Sequence, residues 1–237
     1  MRDHIHTIPV LDALRNPSTC AFCVMKKKLE DDCLQFILGS AYMEDDIRME
    51  TNKVGFCTHH MKAMYKEQNR LGLALMLHTH MQKLCKDTDA IISGKLPSTL
   101  FKKDPGGVEP KFKAFLVENI NSCYVCTRVN DTFDRYVDTF FYLWGKGGDE
   151  SKLILQQEGY CILHYITLLS AAKSRNNRDK FLDILYATWQ KQSRKLEEDL
   201  DWFVQKFDHR NADAPWKNSK DAVPRTVAFL GGGLLDE

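Results

Sequence analysis

The sequence lacks an excess of charge of either sign. Its 237 residues include 33 Lys and Arg against 32 Asp and Glu, which leaves a net charge of +1. A balance this even gives no electrostatic reason to bind nucleic acid, an anionic membrane or a polyanionic substrate. We therefore expect neither nucleic acid nor a membrane among its partners.

A long apolar run is also missing. The most apolar stretch, 71–77, is far too short to cross a bilayer. The first 17 residues carry charges and a proline where a secretory signal needs an apolar segment. These features predict a cytoplasmic protein. Structural disulfides are rare in that reducing compartment, so the eight cysteines indicate metal binding or redox chemistry.

No segment alternates apolar and polar residues for long enough to predict a sheet, and the periodicity is helical instead. In 129–144 and in 181–207, apolar residues recur at spacings of three, four and seven. Shorter stripes in 25–36 and a run from about Thr58 through 84 predict further helices, the second of them long and continuous. The sequence predicts an all-α fold.

Two copies of one motif pattern divide the chain. Each copy has a C-x2-C pair, then a spacer, then glycine, an aromatic residue and C-x2-H. The spacer is 33 residues from Cys23 to Cys57 and 34 from Cys126 to Cys161. Matched spacing of this kind predicts an internal duplication, with each half built around its own metal site.

The predicted organisation follows from that repeat. We expect a first helical repeat over 1–95, a linker over 96–110 that holds most of the Pro and Gly between the halves, and a second repeat over 111–210. An irregular C-terminal extension over 211–237 completes the chain.

The motifs supply two sets of three cysteines and one histidine, the ligand types of a tetrahedral zinc site. Residues three apart at a helix start project to the same side, and a helix N-terminus favours thiolate over thiol. The sequence therefore predicts two zinc ions, with an iron–sulfur cluster as the alternative cofactor. The predicted ligands are Cys20, Cys23, Cys57, His60, Cys123, Cys126, Cys161 and His164.

Two pairings of these motifs are open. The equal spacers favour one site within each half. Cys20 and Cys23 could instead share a metal with Cys161 and His164, and the sequence alone does not exclude this.

The other cysteines and histidines are interpreted as structural. Cys33 lies on an apolar helical stripe and Cys85 late in a helix, so both are predicted to pack rather than to bind metal. His59 has no counterpart in the second copy, which makes His60 the better ligand. His78 and His80 lie two apart on a helix and face different ways, which favours surface or packing roles.

The segments HIHTIPV, YMEDDIRMETNKVGFCTHH, NRLGLALMLHTH and KFDHRNADAPW resemble an uncharacterised bacterial family, a domain of unknown function with duplicated C-x2-C and C-x2-H motifs. The resemblance covers nearly the whole chain. It implies a helical protein without an assigned activity, and it supports the eight motif positions as ligands.

Three functions fit these features. The first is a non-enzymatic, zinc-stabilised helical module that acts structurally or binds another protein, because no catalytic triad, phosphate loop or nucleotide fingerprint is visible. The second is a metalloenzyme or an iron–sulfur or thiol redox protein. The third is a metal sensor or carrier. The sequence identifies no small-molecule substrate.

Overall fold

The computed structural model describes residues 5–16, 20–95, 106–173, 175 and 177–233. These residues contain helices and turns but no strand, so the all-α prediction is confirmed. Eleven α-helices follow one another along the described chain: α1 (Thr7–Arg15), α2 (Ala21–Leu38), α3 (Asp45–Val54), α4 (Thr58–Lys66), α5 (Arg70–Ile92), α6 (Val108–Asn121), α7 (Tyr124–Lys146), α8 (Gly148–Leu155), α9 (Ile162–Ala172), α10 (Arg178–Gln205) and α11 (Ala222–Gly231).

None of the helices in the described ranges combines the length and the apolar character needed to cross a membrane.

The chain forms two compact units that differ from the predicted halves. Unit 1 combines Met1–Lys28 with Thr132–Glu237, and unit 2 is the continuous segment Leu29–Asp131. The unit boundaries therefore fall within α2 and α7, whereas 96–105 of the expected linker lies outside the described residues. The duplication itself stays a prediction.

Unit 1 has an aromatic core. Phe140, Phe141 and Phe181 contact one another with ring centroids 4.9–6.1 Å apart, mostly edge to face. Such pairs add to the stabilisation that apolar burial gives. Around this core α1 packs on α8, and α9, α10 and α11 pack on one another. Phe140 and Phe181, from the stripes predicted for α7 and α10, meet in this core, whereas Phe207 at the end of the second stripe lies beyond α10 and is 75% exposed.

Unit 2 is built around α5, which packs against α3, α4 and α6. Its buried core includes Ile37, Met64, Met76 and Val125. The continuous helix predicted from Thr58 is wrong, because α4 ends at Lys66 and α5 begins at Arg70. Asn69 is the reason for the break, since its side chain accepts a hydrogen bond from the Gly72 amide at 2.8 Å and caps α5.

The C-terminal segment contains a helix that the sequence did not predict. The extension expected to be irregular contains α11. The turn before it is held by Lys206, whose buried ammonium donates to the backbone oxygens of Asn211, Ala212 and Ala214 at 2.6–2.8 Å. Three carbonyl acceptors satisfy the three donors of an ammonium, so this charge can be buried.

Candidate metal centres

Each predicted ligand motif begins at a helix N-terminus. Cys20, Cys57, Cys123 and Cys161 directly precede α2, α4, α7 and α9. In each motif the second ligand lies three residues further on, in the first turn of that helix, as the x2 spacing predicted. The peptide dipoles of a helix start favour negative charge, so each motif presents its thiolates where they are stabilised.

The structure pairs the motifs across the sequence. Four side chains form site A, namely Cys20, Cys23, Cys161 and His164, and all are buried. Four others form site B, namely Cys57, His60, Cys123 and Cys126. The pairing that the equal spacers favoured, one site within each half, is therefore wrong, and the alternative that the sequence left open describes the structure.

Backbone contacts give the physical reason for this pairing. The Tyr124 amide, next to Cys123, donates to the Gly55 carbonyl at 3.0 Å, and the Ser122 hydroxyl donates to the Val54 carbonyl at 2.6 Å. These bonds hold the start of α7 beside the turn that leads into α4. They are long-range contacts, which an equal spacer length does not encode.

The ligand atoms of site A are spaced as around one ion. The Cys23 and Cys161 sulfurs lie 3.6 Å apart, and His164 Nδ1 lies 3.1–3.4 Å from the three sulfurs. Tetrahedral zinc, with Zn–S of about 2.3 Å and Zn–N of about 2.0–2.1 Å, requires edges of about 3.8 Å between sulfurs and about 3.6 Å between sulfur and nitrogen. The four atoms thus need only small outward movements to surround an ion.

Site B has the same dimensions. The Cys57 and Cys126 sulfurs lie 3.8 Å apart, and His60 Nδ1 lies 3.2–3.4 Å from the three sulfurs. An iron–sulfur cluster spreads its cysteines over several irons, and ligands on different irons lie further apart than ligands on one ion. Both quartets therefore fit a single metal ion better than a cluster.

His60 is oriented by a carboxylate that sequence reasoning missed. Glu30 Oε1 lies 2.7 Å from His60 Nε2 and 2.7 Å from His59 Nε2. An acceptor at Nε2 fixes the proton there and leaves the Nδ1 lone pair toward the thiols, as in carboxylate–histidine–metal triads. Glu30 lies on α2, and nothing in the local sequence distinguishes it from its acidic neighbours.

His164 is held differently, by aromatic rings. Phe22 stacks on it with centroids 5.6 Å apart, and Phe133 contacts it at 5.4 Å. Tyr160, buried beside Phe22, completes this apolar surround. Site A is thus enclosed by rings, whereas site B has a polar side.

The two glycines before the C-x2-H motifs serve different purposes. Gly55 has φ +64° and ψ −152°, a region that only glycine occupies readily, and a Cβ there would lie 2.6 Å from His80 Nε2. Gly159 makes room instead for Gln192, whose side-chain oxygen accepts from the Tyr160 amide at 3.2 Å. Of these two glycines, Gly55 has a positive φ and Gly159 does not.

In site A, hydrogen bonds among the three thiols shift their pKa values in opposite directions. Hydrogen bonds to Cys161 raise the pKa of Cys20, and they raise that of Cys23 to about 11. The same bonds, donated by these two thiols, lower the pKa of Cys161 far below its usual range. One thiolate is therefore stabilised by two thiols, whose protons a metal would have to displace.

In site B, Cys123 Sγ and His60 Nδ1 lie at hydrogen-bond distance, 3.3 Å apart. Burial raises the pKa of Cys123, but the hydrogen bond with His60 outweighs it and lowers that pKa to about 6. Bonds to Cys123 and Glu30 likewise overcome burial and raise the pKa of His60 to about 10. The bond from His60 lowers the pKa of Glu30 to about 2, while burial raises that of Cys126 to about 12.

The cysteines and histidines that the sequence analysis interpreted as structural are not among the ligands of site A or site B. Cys33 is buried in the core of unit 2, as predicted. Cys85 is exposed, so its predicted packing role is wrong. His59 is exposed, and His80 has a packing role because its Nδ1 lies 2.9 Å from the Asn52 carbonyl oxygen and its ring covers Gly55.

Comparison with known proteins supports the resemblance seen in the sequence. No curated protein and no solved structure matches the chain significantly. One family model, described as a family of unknown function (DUF6062), matches residues 1–237. Because that match spans the chain, the protein belongs to this family of unknown function.

Proposed function

We propose that the protein is a non-catalytic helical module stabilised by two zinc ions, one in site A and one in site B. The observation that carries the proposal is that each site gathers four ligand atoms within 4.8 Å of one another, at distances equal to or slightly shorter than the edges of a zinc tetrahedron. Closed sets of four protein ligands are usual in structural zinc sites, whereas catalytic zinc keeps a position for water or substrate. Zinc suits thiolate and imidazole together and needs no redox partner.

The positions of the ligands suggest what the ions do. Cys23 and Cys161 are 138 residues apart in sequence, and the metal of site A would join the two chain segments of unit 1. Cys123 and His60 are 63 residues apart and lie within the continuous segment of unit 2. Each ion would thus join two helix N-termini that come from distant parts of the sequence.

Metal analysis tests the proposal directly. Protein purified without oxygen should contain about two zinc ions per chain by elemental analysis. Cys57→Ala and Cys161→Ala should each retain one ion, while Cys33→Ala and Cys85→Ala, the matched cysteine controls, should retain two. Replacement by cobalt should give the intense visible bands of tetrahedral thiolate coordination.

Three results would contradict it. Iron together with acid-labile sulfide in a brown protein would identify a cluster. Loss of both metals in Cys57→Ala alone would show that the sites are not independent. Absence of metal from undamaged protein would refute the structural zinc sites altogether.

An additional role in binding another protein draws support from unit 1. Ile162, Ile166, Leu169 and Tyr186 help to line an open apolar groove of about 300 Å³ between α9 and α10. Exposed apolar surface of this kind often marks an interaction site. The dye ANS should bind the folded zinc protein and lose fluorescence in Ile166→Asp but not in Ile120→Asp, which alters an exposed residue of α6. Equal fluorescence in both variants would remove this support.

A further inference from the structure

The two sites differ in how far solvent can reach their ligands. In site A, Cys20, Cys23 and Cys161 are 2%, 4% and 1% exposed, and His164 is covered by Phe22. A molecule cannot approach an ion there unless the surrounding helices first separate. Local opening of this kind is limited by the stability of the surrounding packing, which here is an aromatic core.

Site B has an open side. Cys57 and Cys126 are partly exposed, while Cys123 and His60 are buried. The polar residues Glu30 and His59 lie on the outer face of His60, and His59 is exposed. Two of the three cysteines of site B are therefore partly exposed while the protein remains folded.

Accessible thiolates matter because metal leaves such sites by ligand exchange. An incoming thiolate or chelator forms a bond to the ion, and one protein thiolate dissociates with its electron pair and takes up a proton from water. No group is oxidised or reduced in this step. The incoming ligand must approach the ion from solvent, and of the two sites it is site B that has partly exposed ligand residues, Cys57 and Cys126.

We infer that site B is an exchangeable metal site, from which a thiol or chelating acceptor withdraws the ion, whereas site A retains its ion until unit 1 opens. This inference rests on the proposed function, since it assigns different tasks to the two proposed ions. Site A would hold the fold together, and site B would allow the protein to give up or receive a metal.

Glu30 is a positioning residue in this arrangement. Its carboxylate holds His60 with Nδ1 toward the metal and also bonds His59. Residues that hold a ligand in this way usually contribute about 10–100-fold to metal affinity. Replacing the carboxylate with an amide should therefore loosen site B and leave site A unchanged.

The test is the kinetics of zinc release from the intact protein to the chromophoric chelator 4-(2-pyridylazo)resorcinol. The wild type should show two phases of one equivalent each, and Cys161→Ala should keep the fast phase whereas Cys57→Ala keeps the slow one. Glu30→Gln should accelerate the fast phase about 10–100-fold. Glu67→Gln, which changes an exposed carboxylate just after α4, should not.

A second measurement needs no variant that might fail to fold. Limited alkylation of the zinc protein with N-ethylmaleimide, read by mass spectrometry, should label exposed Cys85 first, then Cys57 and Cys126, and the cysteines of site A last. Release of both zinc ions at one rate, or earlier labelling of site A, would overturn the inference but not the proposed function. A protein without zinc would refute the proposed function itself.

Discussion

The substitution Cys161→Ala should produce a large loss of stability for a single side chain. Cys161 is 1% exposed, precedes α9 and contributes one of four ligand atoms in site A. Its removal leaves three ligand atoms and should release the proposed metal link between the two chain segments of unit 1. Two effects follow, a small loss of packing and a larger loss of the cross-link.

The separation of the linked residues gives the size of the larger effect. Cys23 and Cys161 are 138 residues apart. In the chain-entropy treatment of a cross-link, closing a loop of that length stabilises the folded state by about 5 kcal/mol. For a protein of this size each kcal/mol moves the melting temperature by about 2–4 °C, so a loss of about 10–20 °C is expected.

Cys33→Ala isolates the packing contribution. Cys33 is 7% exposed and outside both sites, so this variant should lose only about 1 kcal/mol and keep two metals. Thermal unfolding followed by circular dichroism, with elemental analysis of the same samples, compares the two variants. Cys161→Ala should keep most of the far-ultraviolet helical signal, because its apolar helix stripes remain. If Cys161→Ala loses one metal yet has the same melting temperature as Cys33→Ala, the metal of site A does not stabilise the fold. A catalytic role for that metal would then gain support.

Three further outcomes test other features. Gly55→Ala should lower the free energy of unfolding by about 1–3 kcal/mol. The loss should exceed that of Gly94→Ala, because Gly94 also has a positive φ but has open space around it. Equal losses in urea titrations would exclude the predicted clash between the Cβ added at position 55 and His80. Asn69→Ala should cost about 1–2 kcal/mol by removing the cap of α5, and an unchanged urea midpoint would contradict the capping role. Binding of zinc to protein stripped of metal should release protons at pH 7, because the pKa values of Cys20 and Cys23 are raised and both thiols are protonated at that pH. Calorimetry in buffers of different ionisation enthalpy measures this release. Equal heats in all buffers would contradict it.

Local patterns in the sequence predicted the longer helices, α2, α5, α7 and α10. The stripes of α7 and α10 appeared because apolar side chains that face a core recur with the helical period. The break before α5 was missed because it depends on one side chain, Asn69, within a stretch of good helix formers. The helix in the C-terminal segment was missed, and the turn before it depends on a contact that is not local, since Lys206 reaches three carbonyls several residues away.

The ligand set was predicted better than its arrangement. The x2 spacing is a local property, so it identified which thiols and imidazoles could share an ion. Neither the pairing of the motifs nor the part played by Glu30 is local. The structure fixes the pairing through contacts such as that between Tyr124 and Gly55, and it brings Glu30 to His60 across 30 positions of sequence.

Chain entropy does not explain why the motifs are paired across the sequence. Pairing within the first half would join Cys23 to Cys57 across 34 positions, for a cross-link contribution of about 4 kcal/mol. The observed pairing closes 63 residues in site B and 138 in site A, for about 4 and about 5 kcal/mol. Pairing within the second half would contribute about 4 kcal/mol as well, so the observed pairing exceeds pairing within the halves by only about 1–2 kcal/mol in total. This difference is small beside the packing of the aromatic core. What the pairing changes is which helices are joined: site B closes a unit that is continuous in sequence, and site A joins two segments that 103 residues separate. A metal at site A would therefore stabilise the fold more than a metal at site B. For this reason we expect the protein to retain the metal of site A.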